Sequence, residues 1–352
     1  MDSEFFQILG LLVVSMGVLL VAADRFVVGT EDIGTVLGVS PFIMGITVLA
    51  VGTSFPELIT ALYAVEEGKS EIVIGTVLGS NIANILLILG VTAILAKSFT
   101  ITWDLLHGDL PILFGSLLLM GFVIYPVSIE DQKLFQGLAT QISQTGSGDA
   151  GGRAFITFGE SIILLAGYVL YLYYYTLRHQ EEVAKGKAGD PQERPKFKYM
   201  SLVWVLVGLA GVLVGAKFTV DFAVDLAGKL NLGNEVVAAS MIAFGTSMPE
   251  LVVSISASRR GNFEMVLGNV TGSNIFNTFV VIGIPGLVAP FMGDGVSLKV
   301  GEDSILLLQF PFYAATLALF LVVVLDKTLT RTEGWIIFMA YVLFISKLFS
   351  FI

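Results

Sequence analysis

The chain has 352 residues, 55% hydrophobic and 14% charged, with 38 glycines and no cysteine. A soluble globular domain carries about 25% charged residues, so this composition excludes one and points to an integral membrane protein. The formal net charge of −10 argues against a nucleic-acid surface, which needs clustered Lys and Arg. Zero cysteines exclude disulfides and thiolate metal sites.

Uncharged apolar runs recur along the whole length, and several match the ~20 residues a helix needs to cross hydrocarbon. Divided at charged or turn-rich breaks, they predict ten helices near 5–29, 39–65, 71–96, 105–126, 157–178, 200–227, 235–258, 264–288, 303–325 and 333–351. The acidic start Met1-Asp2-Ser3-Glu4 is unlike a signal peptide, so the first run reads as a retained span. The chain divides into helices 1–4 (residues 1–126), an outer loop (127–156), helix 5 (157–178), a charged loop (179–199) and helices 6–10 (200–352).

Alternate loops share a side. The set holding Arg178, Lys185, Lys187, Arg194, Arg259 and Arg260 is the richer in basic residues, so the positive-inside rule makes it cytoplasmic and puts both termini outside. A plasma-membrane, multi-pass protein is the expectation.

Residues 41–90 align without a gap on residues 234–283, at a constant offset of 193, with 19 identities in 50 pairs. Gly52-Thr53-Ser54-Phe55-Pro56-Glu57-Leu58 recurs as Gly245-Thr246-Ser247-Met248-Pro249-Glu250-Leu251, and Gly79-Ser80-Asn81-Ile82-Ala83-Asn84 as Gly272-Ser273-Asn274-Ile275-Phe276-Asn277. Corresponding elements of the two copies lie five helices apart, an odd number, so the halves enter the membrane upside down relative to each other. The fold class that follows is all-α and membrane-integral: two inverted five-helix repeats with kinked or discontinuous core helices. In a transporter such repeats share a site near the midplane and move against each other to expose it alternately.

Glu57 and Glu250 interrupt apolar spans, where an ionisable group costs at least ~2.5 kcal/mol. Thr53 and Ser54 lie at i−4 and i−3 from Glu57, as Thr246 and Ser247 do from Glu250. Pro56 and Pro249 lack an amide hydrogen and release carbonyls in the preceding turn, near Ala50 or Thr53 and near Ala243 or Thr246. In the next helix of each half, Ser80 and Asn84 are spaced i, i+4, as are Ser273 and Asn277. This donor set is all oxygen with two negative charges, which suits hard ions such as Ca2+ or Na+.

Taken singly, each feature has a plainer reading. A Gly-x-x-Pro kink is usually geometry, and small residues at 52, 75, 79, 245, 268 and 272 allow close helix packing. Glu66, Glu67 and Glu71 fit a solvated acidic loop, Arg259-Arg260 an orientation signal, and His107 and His179 loop or interfacial positions. Kink, carboxylate and hydroxyls duplicated in register favour an ion site.

At these residues the sequence resembles the sodium/calcium exchanger family of the cation/calcium antiporter superfamily, particularly its compact prokaryotic and archaeal members. The resemblance covers essentially the whole chain and rests on the doubled Gly-Thr-Ser-x-Pro-Glu and Gly-Ser-Asn-Ile-x-Asn signatures. It implies Glu57 and Glu250 as central acidic ligands, with Thr53, Ser54, Thr246, Ser247 and the carbonyls of Ala50 and Ala243 beside them. Ser80, Asn84, Ser273 and Asn277 would complete a cluster of one Ca2+ site and several Na+ sites.

Where many relatives carry Asp, this chain has Asn277, which argues against potassium dependence. It also has Thr76 where the second repeat keeps the usual Asn269. The Thr-Ser pairs favour Na+ over H+ coupling. The resemblance implies an electrogenic antiporter extruding Ca2+, with Ca2+ and Na+ as substrates, the bilayer as environment, and no cofactor or obligate protein partner. The first and sixth helices, with Asp24-Arg25 matching Lys217-Phe218, would be the sliding element. An H+/Ca2+ or other divalent-cation exchanger is the alternative, a cation channel a weaker one. Enzymatic function is not expected, because acceptor-only ligands suit transport.

Overall fold

The computed structural model describes residues 3–96, 98–124, 155–184, 195–229, 245–292, 298–299 and 308–351. Among these the protein is helical apart from two short ribbons. The helices are α1 (Ser3–Leu37), α2 (residues 41–53), α3 (Phe55–Glu66), α4 (residues 71–96), α5 (Asp109–Ile124), α6 (Phe158–Ala184), α7 (Tyr199–Lys229), α8 (Met248–Arg259), α9 (residues 263–288), α10 (Phe310–Leu325) and α11 (Arg331–Phe351). Six described helical stretches are long and apolar enough to cross a membrane, α2 and α3 counting together as one; Asp109–Val123 and Phe310–Leu325 are shorter apolar helices.

Several boundaries differ from the sequence expectation. α1 runs on past its apolar stretch to Leu37, because Asp24, Glu31 and Asp32 find partners on neighbouring segments: Ser256 and Arg260, Arg260 and Asn262, and Ser201. α5 starts at Asp109 instead of 105, after a turn in which His107 Nδ1 and the Asp104 carboxylate lie 3.0 Å apart. The expected outer loop falls almost wholly outside the described residues, as do 185–194 of the charged loop and the start of the seventh expected helix.

α1 and α7 pack antiparallel along most of their length. Gly29 lies against Ser201 and Val205, Gly208 against Phe26, Gly215 against Leu19, and the Thr219 hydroxyl bonds Ser15 at 3.1 Å. The rest of the bundle is built around α2, α4, α8 and α9. A Cβ at Gly268 would sit 2.3 Å from the Phe42 carbonyl oxygen, and one at Gly272 2.6 Å from Ile46 Cα, so these small residues bring α9 onto α2. Gly79 meets nothing within 4 Å.

Both ribbons are antiparallel, and each ties one half of the chain to the other. β1 (Ser98–Thr100) pairs with β4 (Thr328–Thr330), and β2 (Phe155–Ile156) with β3 (Leu298–Lys299). Each of β2 and β4 leads into a helix through the same capping box: Glu160 accepts from the Thr157 amide at 2.7 Å, and Glu333 accepts from the Thr330 amide at 2.7 Å.

Candidate cation site

The helix carrying the first Gly-Thr-Ser-x-Pro-Glu motif is broken. α2 ends at Thr53, Ser54 leaves helical geometry (φ −87°, ψ 6°), and α3 starts at Phe55 with Pro56 in its first turn. In the second copy the chain turns at the matching place, Thr246 and Ser247 (φ −86°, ψ 2° at Ser247) standing before α8. Proline explains the position, since it cannot donate to the preceding turn yet fits the start of a helix. Glu57 and Glu250 therefore occupy the first turns of half-helices, where unpaired amides and the positive dipole end favour an anion. Composition suggested a carboxylate in mid-helix; the break converts it into a carboxylate at a helix start.

The break also redirects the hydroxyls. Ser54 does not serve its own helix but donates to Glu250 Oε1 of the other repeat at 3.0 Å. Thr53 donates to the Leu49 carbonyl at 3.0 Å, with Ala50 O at 3.5 Å and Asn269 Oδ1 at 3.4 Å. The Ala50 carbonyl keeps a helical partner, the Ser54 amide at 3.0 Å, and has a second lone pair for a ligand. Ala243 lies outside the described residues.

α4 and α9 close the cluster from the other side. Each contains a π-helical segment starting at the predicted amide, Asn84–Leu89 and Asn277–Val281, again at the 193 offset; such segments recur at functional sites. Ser80 and Thr246 hydroxyls are 3.3 Å apart, and Asn84 Nδ2 donates to Asn274 Oδ1 at 3.0 Å. Both carboxylates are 1% exposed, and Ser54, Ser80, Asn84, Ser247, Ser273 and Asn277 are buried with them.

Among the described residues many of these atoms have no hydrogen-bond partner: both Glu57 oxygens, Glu250 Oε2, Asn84 Oδ1, the Ser247 and Ser273 hydroxyls and both polar atoms of Asn277. Glu57 and Glu250 are near enough for their charges to repel. A buried polar group left unpaired costs ~1–3 kcal/mol, more when charged, and every atom of this set except Asn277 Nδ2 has a lone pair that could face a cation.

The family model for "Sodium/calcium exchanger protein" matches residues 7–177 and 200–349, nearly the whole chain. The chain belongs to the sodium/calcium exchanger family. It is 32% identical over 346 residues to the putative antiporter CaxA of Alkalimonas amylolytica, covering 96% of this chain and 97% of that one. It is 32% identical over 354 residues to the sodium/calcium exchanger MaX1 of Methanosarcina acetivorans, with the same coverages. Its fold matches the solved sodium-calcium exchanger NCX_Mj with a TM-score of 0.73 at 27% identity, over 97% of this chain and 99% of that one. The family resemblance read from the doubled motifs holds, and with it the assignment to a membrane-embedded ion antiporter family, a class of transporters.

The exchanger's polar core also holds residues absent from the predicted ligand set. Asn269 Nδ2 donates to Ser254 Oγ at 3.0 Å while its Oδ1 faces Thr53, and Asn81 Nδ2 donates to Thr278 at 3.0 Å. Asn81 and Asn274 stood inside the doubled Gly-Ser-Asn-Ile motif, so the signal was present; Ser254 and Thr278 are paired by the repeat with Ala61 and Ile85 and carried none. Thr76, the first-repeat counterpart of Asn269, bonds only its own helix, at the Ile72 carbonyl (3.0 Å).

Proposed function

We propose that this chain is a Na+/Ca2+ antiporter in which Glu57 and Glu250 compensate either one Ca2+ or a set of Na+ ions in overlapping positions. The observation that carries the reading is the pair of buried carboxylates in the first turns of α3 and α8, ringed by unpartnered oxygens from both repeats among the described residues. Thr53, Ser54, Thr246, Ser247, Ser80, Asn84, Ser273, Asn277 and the carbonyls of Ala50 and Ala243 supply the neutral donors. Two carboxylates match the charge of one Ca2+ or of two Na+, and hard oxygen donors suit both ions.

Exchange follows from exclusion. Two unpaired carboxylates are costly to seal from water, so the site changes access only when loaded, and the two loads compete for it. If more than two Na+ move per Ca2+, each cycle carries net charge, worth about 2.3 kcal/mol per elementary charge at 100 mV. Under an inward Na+ gradient the cycle extrudes Ca2+.

The architecture we infer is ten transmembrane helices in two inverted halves, with the antiparallel α1/α7 pair sliding over the core. The reciprocal ribbons, each joining a loop of one half to a loop of the other, support this reading, as do the matched capping boxes. In that arrangement the basic end of the bundle is cytoplasmic, both termini are external, and the plasma membrane is the site of action.

The test is calcium-45 uptake into proteoliposomes loaded with Na+, then K+ or choline, then with an outward proton gradient. Uptake that requires internal Na+ is expected. Uptake driven only by protons would make the chain a cation/proton exchanger, and uptake indifferent to the internal cation would make it a channel.

A further inference from the structure

Beside the carboxylate cluster, a second group of polar side chains is sealed where α4, α9 and α10 meet. Asn81 stands three residues before Asn84 on α4, Thr278 one residue after Asn277 on α9, and Gln309 and Tyr313 at the start of α10. Gln309 is 8% exposed and the other three are fully buried. Gln309 precedes Tyr313 by four residues, so the two share a helical face, and α10 packs on α4.

The hydrogen bonds within this group use up donors and leave acceptors over. Asn81 Nδ2 donates to the Thr278 hydroxyl at 3.0 Å, and that hydroxyl donates to the Asn274 carbonyl at 2.9 Å. Asn81 Oδ1, Tyr313 Oη and Gln309 Oε1 are all buried without a hydrogen-bond partner, although the Tyr313 hydroxyl lies against Asn81 and Thr278. An apolar bundle gains nothing from leaving these oxygens unpaired, because each would be better replaced by a hydrocarbon group. They make sense as ligands.

None of the four side chains carries a charge, so a divalent ion would be uncompensated here, whereas four neutral oxygens suit a small hard monovalent ion. The group joins the main site through a continuous polar seam, since Asn84 Nδ2 bonds Asn274 Oδ1 next to Asn277.

We propose that Asn81, Thr278, Gln309 and Tyr313 form an accessory, uncharged site that takes one Na+ ion and does not take Ca2+. The proposal rests on the reading of the chain as Na+-coupled. Na+ binding then depends on oxygens that Ca2+ binding does not use, and this separates the two loads beyond their competition for Glu57 and Glu250.

The test compares wild type with Tyr313→Phe and Gln309→Met, each of which removes one ligand oxygen and keeps side-chain volume. Thermal stabilisation of the purified protein is titrated with NaCl against choline chloride, and separately with CaCl2, and Ca2+/Ca2+ self-exchange is measured in proteoliposomes. The expected result is a rise of about threefold or more in the Na+ half-saturation, with Ca2+ half-saturation and self-exchange unchanged. An unchanged Na+ titration would overturn the site and leave these oxygens to buried water. Parallel loss of Na+ and Ca2+ binding would overturn it in favour of a purely structural role. If Tyr313→Phe does not fold, Gln309→Met at the helix start carries the same comparison. Because the stabilisation reads binding alone, a wild type that binds Na+ but takes up Ca2+ without needing it would sink the coupling reading and not this site.

Discussion

In the first repeat α3 leaves Phe55, Ile59 and Tyr63 exposed, whereas its counterpart α8 is buried along nearly its whole length, because α1 lies across it. At Tyr63, 61% exposed, and its match Ser256, 9% exposed, the sequence follows this difference. Ala61, Tyr63, Val65, Thr76, Leu78 and Ile85 in the first copy correspond to Ser254, Ser256, Ser258, Asn269, Thr271 and Thr278 in the second, all six of them buried. Ala61, Val65, Leu78 and Ile85 are themselves buried, so at these four positions the copies differ in the polarity of a covered site, the second placing hydroxyls where the first packs apolar groups. The copies keep the ligand register and diverge in the polarity of the positions around it. The hydrogen bonds diverge as well: Ser54 reaches Glu250, but among the described residues its mate Ser247 has no partner and neither Glu57 oxygen is bonded. In the inverted-repeat arrangement proposed above, such inequality between equivalent positions would mark one access state.

The largest effects should ignore this inequality. Glu57→Gln and Glu250→Gln each remove a charge the cation needs, and each should lower calcium-45 uptake by ~100-fold or more, equivalent to ~2.7 kcal/mol, with the protein still folded by size-exclusion chromatography. Normal transport by either variant would refute the site. The next effect should be one-sided. Asn269→Ala strands the buried Ser254 hydroxyl and frees Thr53 to turn, so it should destabilise the protein by ~1–3 kcal/mol. Thr76→Ala, at the equivalent place, should change stability by less than ~0.5 kcal/mol. Thermal unfolding in detergent measures both, and equal losses would contradict the asymmetry described for the two copies.

The capping boxes offer the opposite comparison, between positions that the structure makes alike. Thr157 and Thr330 each exchange hydrogen bonds with a Glu three residues on: the Glu accepts from the threonine hydroxyl at 2.8 and 2.7 Å, and each threonine hydroxyl accepts the Glu amide at 3.3 Å. Thr157→Ala and Thr330→Ala should each cost ~1 kcal/mol, and a marked difference in unfolding temperature would show that the two ribbons are not equivalent.

What could be read in the sequence was whatever the repeat preserves in register. The constant offset exposed Glu57 and Glu250, the prolines that break their helices, and the Ser and Asn of the next span. The capping boxes escaped the same search because their offset is 173: the first half has a longer connection before its fifth helix, so register is lost beyond residue 90. The full length of α1 was hidden for another reason. Asp24, Arg25, Glu31 and Asp32 look like a span terminus when hydropathy alone is counted, yet Asp24, Glu31 and Asp32 are bonded to neighbouring segments and Arg25 sits over the Trp204 ring at 5.0 Å. The Asn269–Ser254 bond could not be inferred because repetition gives no warning of a residue that only one copy acquired.

The smallest expected effect concerns how α1 is held against the second copy. Arg260 Nε donates to Glu31 Oε2 at 2.8 Å and its Nη1 lies 3.7 Å from Asp24 Oδ1, while Asn262 Nδ2 donates to Glu31 Oε1 at 3.1 Å. The first copy has Glu67 where Arg260 stands, and that side chain meets Lys69 of its own turn at 3.9 Å. The Arg260 side chain is about a third exposed, so the pair should be worth no more than ~1 kcal/mol and be weakened by salt. Under the proposed alternating access, a contact of that size would hold one access state without trapping it. Arg260→Ala should therefore barely change unfolding temperature, yet shift the balance of access states by up to about fivefold, read as altered accessibility of single cysteines introduced at the two mouths of the cysteine-free chain. The same substitution with accessibility unchanged would show that the ion pair merely decorates the end of α1, and that packing of α1 on α8 alone decides which copy is covered.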